Sequence, residues 1–278
     1  MKRSFLIDTS VLHGVAARTL ETVAGNSDVA VSPYTVWELL FHLSDSDFDR
    51  AKGYLMKLRH VRILDDPRAS IEKLVTKSSD RIHTRVPDSD LAYEMLAALR
   101  GSSSVPEFYG VHIRDENGEL HQVSGCIERV RETLATEEQR FKEFLTVIAA
   151  SVRGGRVALG TSAERHAGAS DVILGLWRQL GARVAGTAPN EEFIRASYVY
   201  ASYVVHRSAA LALTGAQPDG NDFEDAEICR HLWIGSETAF VTADRILRCT
   251  SANAVATWEE QRGERARLSV CDVAGFTA

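Results

Sequence analysis

The chain predicts an α/β sandwich: three layers, with a central parallel sheet between helices and a mostly helical insertion. Three observations point there. Short apolar runs at 4–7, 28–31 and 61–64 alternate with helix-length segments, the rhythm of parallel strands joined by helical crossovers. Late runs at 239–241 and 267–273 resume that rhythm. Between them, 67–189 changes character and reads as mostly helical.

Taken in order, 4–7 is a buried strand closed by Asp8, and 12–23 is a helix. A second strand covers 28–31. Ser32 then caps a helix over 33–43, with Pro33 at its first position. The strand at 61–64 closes at Asp65-Asp66-Pro67. In the insertion, 89–100 and 125–152 are helices, and Asn117-Gly118 between two short runs signals a hairpin over 112–123. The glycine-rich stretch 154–170 reads as loop, and 171–180 as a short helix. Asn190 caps a long helix ending before Gly215, and a further helix spans 223–234. The chain divides into a first core part at 1–66, the insertion at 67–189 and a second core part at 190–278.

The chain has 278 residues, 45% hydrophobic and 25% charged, the composition of an ordinary globular protein. No apolar run is long enough to span a membrane. The N-terminal apolar run stops at Asp8, too soon for a signal peptide. Cys126, Cys229, Cys249 and Cys271 have no paired spacing, which argues for thiols in a reducing compartment and against disulfides or zinc. A cytoplasmic location is the expectation. The net charge of −6 weighs mildly against a nucleic-acid partner. Residues 50–85, however, carry ten Lys/Arg against four acids, either a solvated helical face or a substrate track.

Four carboxylates stand out. Stepping at about 100° per residue along the helix after Asp222 puts Ile228, Cys229, Leu232, Trp233 and Ala226 on one apolar arc. Glu224, Glu227, Arg230 and His231 take the polar side, yet Asp225 falls within the apolar arc. An ionised carboxylate there is costly without a partner charge or a metal. On the helix at 33–43, Glu38 sits on a narrow polar strip with Thr35 and His42. Asp8 and Asp244 close strands, and carboxyl ends of parallel strands line ligand crevices. Each has a bland reading: Glu38 as a surface glutamate, Asp8, Asp222 or Asp244 as a helix cap. Together they suit Mg²⁺ or Mn²⁺, hard ions that accept carboxylate oxygens.

Other motifs fail. The stretch 155–162 spells G-x-x-x-x-G-T-S but lacks the phosphate-binding lysine. Glu38/His42 and Glu227/His231 are i,i+4 pairs, the second placed on the outer face of its helix.

Phe5-Leu6-Ile7-Asp8-Thr9-Ser10-Val11-Leu12 resembles the opening strand of PIN-domain nucleases. Ser32-Pro33-Tyr34-Thr35-Val36-Trp37-Glu38-Leu39-Leu40 is similar to their second motif. Asn221-Asp222-Phe223-Glu224-Asp225-Ala226-Glu227-Ile228 and Val241-Thr242-Ala243-Asp244-Arg245 are similar to the third and fourth. The resemblance implies a PIN-like sandwich in which Asp8, Glu38, Asp225 and Asp244 are catalytic and hold metal. Asp222 would be an accessory acid, with Ser10 and Thr242 in support. It implies hydrolysis of phosphodiester bonds, with RNA as the expected substrate, by a metal-activated water. The similarity covers 1–66 and 190–278; the separation of 187 positions from Glu38 to Asp225 far exceeds the spacing of compact members. A silent binding module, a phosphatase and a structure-specific DNA nuclease are the alternatives. The insertion could serve a protein partner or a homo-oligomer.

Overall fold

The computed structural model describes residues 3–76, 89–114, 118–180 and 188–277, without the side chains of 72–76. β1 (Ser4–Ile7) buries Phe5, Leu6 and Ile7 because a parallel strand flanks it on each side. Asp8 caps α1 (Thr9–Gly14), and α2 (Ala17–Asn26) follows an extended Val15. This corrects the single helix expected over 12–23. The break lies where the Lys57 ammonium binds the carbonyls of Leu12 and, at 2.7 Å, Val15, closing α1 with a cation at its C-terminal end.

β2 (Asp28–Val31) leads through the cap at Ser32 into α3 (Pro33–Phe41), as expected from Ser32-Pro33. α4 (Phe48–Lys57) and a 3-10 turn then precede β3 (Arg62–Ile63). Next come α5 (Pro67–Thr76), α6 (Ser89–Gly101), α7 (Val105–Gly110), the antiparallel hairpin of β4 (His112–Arg114) and β5 (Leu120–Gln122), and α8 (Val123–Arg153). Gly118 takes a left-handed φ of 80° in the hairpin turn, and Asn117 lies outside the described residues.

α9 (Ser162–Leu180) begins well inside the stretch expected as loop. Thr161 and Glu164 cap it reciprocally: Thr161 Oγ1 accepts from Glu164 N at 3.2 Å, and Glu164 Oε2 accepts from Thr161 N at 2.8 Å. Its small residues serve packing. A Cβ at Gly168 would come within 3.0 Å of Leu159 and 3.3 Å of Val205. The G-x-x-x-x-G-T-S stretch is therefore the approach to this helix.

α10 (Glu191–Thr214) starts at Asn190, which accepts from Phe193 N at 2.8 Å, and ends at left-handed Gly215. It packs against α5, α8 and α9, and most of its residues from Ala196 to Val205 are buried on all sides. α11 (Gly220–Cys229), β6 (Thr238–Val241), α12 (Arg245–Arg262), β7 (Ser269–Cys271) and α13 (Val273–Thr277) complete the chain. The helices of 67–189 share one hydrophobic core with the rest: Trp177 meets Phe193 at 5.1 Å between ring centroids, and Phe141 meets Phe223 at 5.9 Å.

Among the described residues the main sheet has five parallel strands in the order β3-β2-β1-β6-β7. From β1 the chain moves outward to β2 and β3, then returns to the other side of β1 for β6 and β7. With crossovers of the usual right hand, this order puts the two halves on opposite faces, which is compatible with three layers. Strand order reverses between β1 and β6, and at such a switch point the flanking loops part and leave a crevice. Ile7 pairs with Val241, so Asp8 and Thr242 emerge side by side at that point. No helix of the described residues is long and apolar enough to cross a membrane.

Phe240 is fully buried at the centre of β6. Phe240→Ala is expected to lower unfolding free energy by about 3–5 kcal/mol in a urea titration. A loss under about 1 kcal/mol would contradict its place in the core.

Candidate functional site

Asp8 is 4% exposed and already heavily bonded. Oδ1 accepts from Ser10 Oγ at 2.6 Å and from Val11 N at 3.2 Å; Oδ2 accepts from Thr242 Oγ1 at 2.5 Å. Ser10 Oγ in turn accepts from Ala243 N at 2.8 Å, and Thr242 Oγ1 accepts from Asp244 N at 2.9 Å. These bonds tie the end of β1 to the end of β6 and turn the chain at Asp244 toward solvent. Asp244 is exposed and caps α12, accepting from Leu247 N at 2.8 Å. The cap reading of both residues thus holds, and in both cases other oxygen acceptor capacity remains.

Glu38 lies half-buried on α3, where Thr9 Oγ1 donates to it. Asp225 lies half-buried on α11, accepting from Tyr203 Oη at 3.3 Å. Asp8, Asp225 and Asp244 act on one another, and Asp8 acts on Glu38. Burial raises the Asp8 carboxyl above its ordinary range and Asp244 raises it further, against the lowering effect of its hydrogen bonds. Burial raises Glu38, with Asp8 adding to it. Asp225 is pushed up to about 8, by burial first and then by the charges of Asp244 and Asp8. Sequence reading missed Glu224, whose carboxyl is also pushed up to about 8 by burial and then by Glu38 and Glu138. It also missed Thr9 and Tyr203, whose roles depend on contacts between helices.

Elsewhere on α11 the charge is balanced. Asp222 binds the Arg207 guanidinium through both oxygens, with Nη2 to Oδ2 at 3.2 Å. It is not the helix cap: Asp219 is, and Asp222 returns a bond to the Asp219 backbone N at 3.0 Å. As an accessory acid, Asp222 would first have to leave Arg207.

The expectation that Glu227 and His231 face solvent fails. Glu227 is fully buried and paired with Arg68 (Nε to Oε2, 3.1 Å) and Arg230 (Nε to Oε1, 3.1 Å). Burial raises its carboxyl, but Arg230 and Arg68 together pull it below its ordinary range. His231 Nε2 lies 3.1 Å from Ser32 Oγ, and burial pushes the imidazole down to about 3. The reason is that α11 is enclosed by α3, α8 and α10, so a helical wheel with one solvent face does not apply.

Among the described residues, Asp8, Glu38, Asp225 and Asp244 have no Lys or Arg partner. Nor do any three His, Cys, Asp or Glu side chains there converge tightly enough to form a ready-made metal cage. Mg²⁺ needs no such cage, because it keeps several waters and uses one or two carboxylates directly. Oxygen donors with raised carboxyls at Asp8, Glu38 and Asp225 fit a hard cation; all four cysteines are free thiols, and Cys229, the one near Asp225, is buried with its thiol pushed up, which keeps it protonated.

The basic stretch does not form one track among the described residues. Lys52 binds the carbonyls of Arg100 and Ser102, Arg62 binds Asp28, and Arg68 binds Glu227 and Glu137. Lys77, Arg81 and Arg85, and the side chain of Lys73, lie outside the described residues. A separate depression lined by Arg3, Phe5, Glu237 and Arg267 lies at the amino ends of β1 and β6, away from the carboxylates.

No protein-family model, curated protein or solved structure matches the chain.

Two outcomes follow from the contrast between paired and unpaired acids. Glu227→Ala removes the shared partner of two half-buried guanidiniums, leaving Arg68 with Glu137, and is expected to cost about 3 kcal/mol in chemical denaturation. Asp225 behaves oppositely. Its folded pKa of about 8 stands above the unfolded value of about 3.9. Between those values the folded chain keeps a proton that the unfolded chain has lost, so this group's effect on stability worsens as pH rises toward 8. In chelator, Asp225→Asn is expected to melt higher than wild type near pH 8 and to lose that advantage near pH 4. A lower melting temperature near pH 8 would contradict the analysis.

Proposed function

We propose that the chain is a metal-dependent endonuclease of PIN type that hydrolyses phosphodiester bonds, with RNA as the substrate. One observation carries this reading. Asp8, Asp225 and Asp244 act on one another at the ends of β1 and β6 and on α11, and Asp8 acts on Glu38, with no Lys or Arg paired to any of the four among the described residues, while Asp222 and Glu227 on α11 are each neutralised by arginine. Placing like charges together without a counter-ion destabilises a fold, so the arrangement is suited to a cation from solution.

Asp8, Asp225 and Asp244 would hold Mg²⁺ or Mn²⁺, with Glu38 beside them. The ion would supply a lowered pKa for the attacking water and neutralise charge on the phosphate. The chain's own residues do the positioning. Ser10 and Thr242 fix both oxygens of Asp8, and Thr242 also sets the turn that brings Asp244 to the surface. Thr9 fixes Glu38, and Tyr203 orients Asp225 from the buried side. The exposed position of Asp244 leaves the cluster open on one side, as a polymeric substrate requires. A cytoplasmic site of action accords with four free thiols.

Calorimetric titration with Mn²⁺, followed by incubation with single-stranded RNA in Mg²⁺ or Mn²⁺, tests this. Wild type is expected to bind metal and cut. Asp8→Asn and Asp225→Asn are expected to stay folded, lose metal binding and cut at least about 100-fold more slowly. Absence of metal binding, or cleavage surviving both substitutions, would move a silent binding module to the front. Matched DNA strands and duplexes in the same assay separate an RNA nuclease from a structure-specific DNA nuclease.

A further inference from the structure

Beside the carboxylates lies a group of residues whose exposed parts the proposed chemistry does not use. His13 stands near the end of α1, one helix length from Asp8, and is exposed. Its ring lies against Tyr54 of α4, with centroids 4.4 Å apart and planes at 38°. Lys57 Nζ stands 5.0 Å from the Tyr54 centroid. His13 feels the charges of Lys57, Arg50 and His42, which lower its pKa, and that of Asp8, which raises it. His42, exposed at the end of α3, in turn acts on Glu38. His13 therefore lies within reach of the charges of both Asp8 and two of the cations of α4, Arg50 and Lys57.

An exposed ring backed by a second ring is a feature that core packing does not need. Buried aromatic pairs such as Trp177–Phe193 contribute apolar burial; His13 keeps its surface in water. Burial, then Lys57 and Arg50, lower its pKa, so the imidazole is neutral at neutral pH and offers an aromatic face without competing for the cluster's cation. Arg50 is also exposed, and its pairing with Asp47 is a surface contact that a phosphate can displace. Sites for single-stranded nucleic acid combine these parts: a ring on which a base stacks and cations along the backbone. A duplex, with its bases already stacked on one another, cannot use the ring.

We propose that the His13–Tyr54 pair is a stacking platform for one nucleobase of a single-stranded nucleic acid, with Arg50 as the counter-charge for the adjoining backbone and Lys57, held on the Leu12 and Val15 carbonyls, as a fixed positive charge behind the rings. This deepens the nuclease reading and rests on it for the position of the scissile phosphate. It narrows the basic stretch to the cations of α4 nearest the ring pair, with Arg50 the one free to move onto phosphate, and it assigns the platform a preference for unpaired strands.

The test is fluorescence anisotropy of a short labelled single-stranded RNA with the full chain, in chelator so that no cleavage intervenes. The same sequence as DNA and as a duplex is run alongside. His13 is exposed, so His13→Ala is expected to fold as wild type by circular dichroism. It is expected to bind the single strand about tenfold more weakly, with duplex binding unchanged. His13→Phe, which keeps a ring, is expected to bind within about twofold of wild type. A loss on either RNA or DNA carries the proposal, and the larger loss identifies the sugar the site prefers. Unchanged binding by His13→Ala, or equal losses for the Ala and Phe variants, overturns it. Cleavage by wild type in Mn²⁺ keeps the two readings apart. Cleavage with no effect of His13→Ala on affinity sinks the platform alone. A His13-dependent affinity without metal binding or cleavage sinks the nuclease reading alone.

Discussion

Asp8 is where the sheet and the site meet. Its carboxylate joins the ends of β1 and β6 through Ser10 and Thr242, and it caps α1 through Val11. Adjacent parallel strands run side by side without a direct turn, so their exits must be held by side chains. Here the linking group is an acid at 4% exposure, with its neighbours in charge also acids. An amide or a threonine could accept some of these bonds without the desolvation cost of a carboxylate. The choice of a charged group at this position makes sense in terms of charge, and the remaining acids are arranged around it.

α11 shows how the molecule separates structural acids from the others. Within two turns it carries Asp222, Glu224, Asp225 and Glu227. Arg207 neutralises the first, and Arg68 and Arg230 the last. Arg230 also lies over the Tyr200 ring at 3.6 Å, so the buried network is packed as well as paired. Arg68 comes from α5 and its second partner Glu137 from α8, so the 67–189 region helps to anchor the helix that presents Asp225. Between these two anchored ends, Glu224 and Asp225 retain raised carboxyls. The helix is thus held by its paired acids and leaves its middle two available.

Strand positions and the acids at strand ends were legible because burial of a central parallel strand demands a continuous apolar run, and the run's end is visible. The caps at Ser32 and Asn190 were legible for a similar reason, since the capping residue is local. What escaped depends on contacts distant in sequence. α12 was not expected because its buried residues are few and small, with Ser251, Ala254 and Thr257 beside Leu247 and Trp258. α9 was hidden by its small residues, among them Gly168, which permits close approach to Val205 of α10. Glu227 was misplaced because its partner Arg68 lies far back in the chain. The coarse α/β plan and the five-stranded parallel sheet were readable from local patterns, whereas the pairing of each acid was not.

The central claim is that a divalent cation completes this charge arrangement. Diffraction from crystals grown with Mn²⁺, recorded at a wavelength where manganese scatters anomalously, examines that directly. The account predicts an anomalous peak bounded by Asp8, Asp225 and Asp244, with Asp222 and Glu227 still on their arginines. Well-diffracting crystals with no peak at these carboxylates would contradict it.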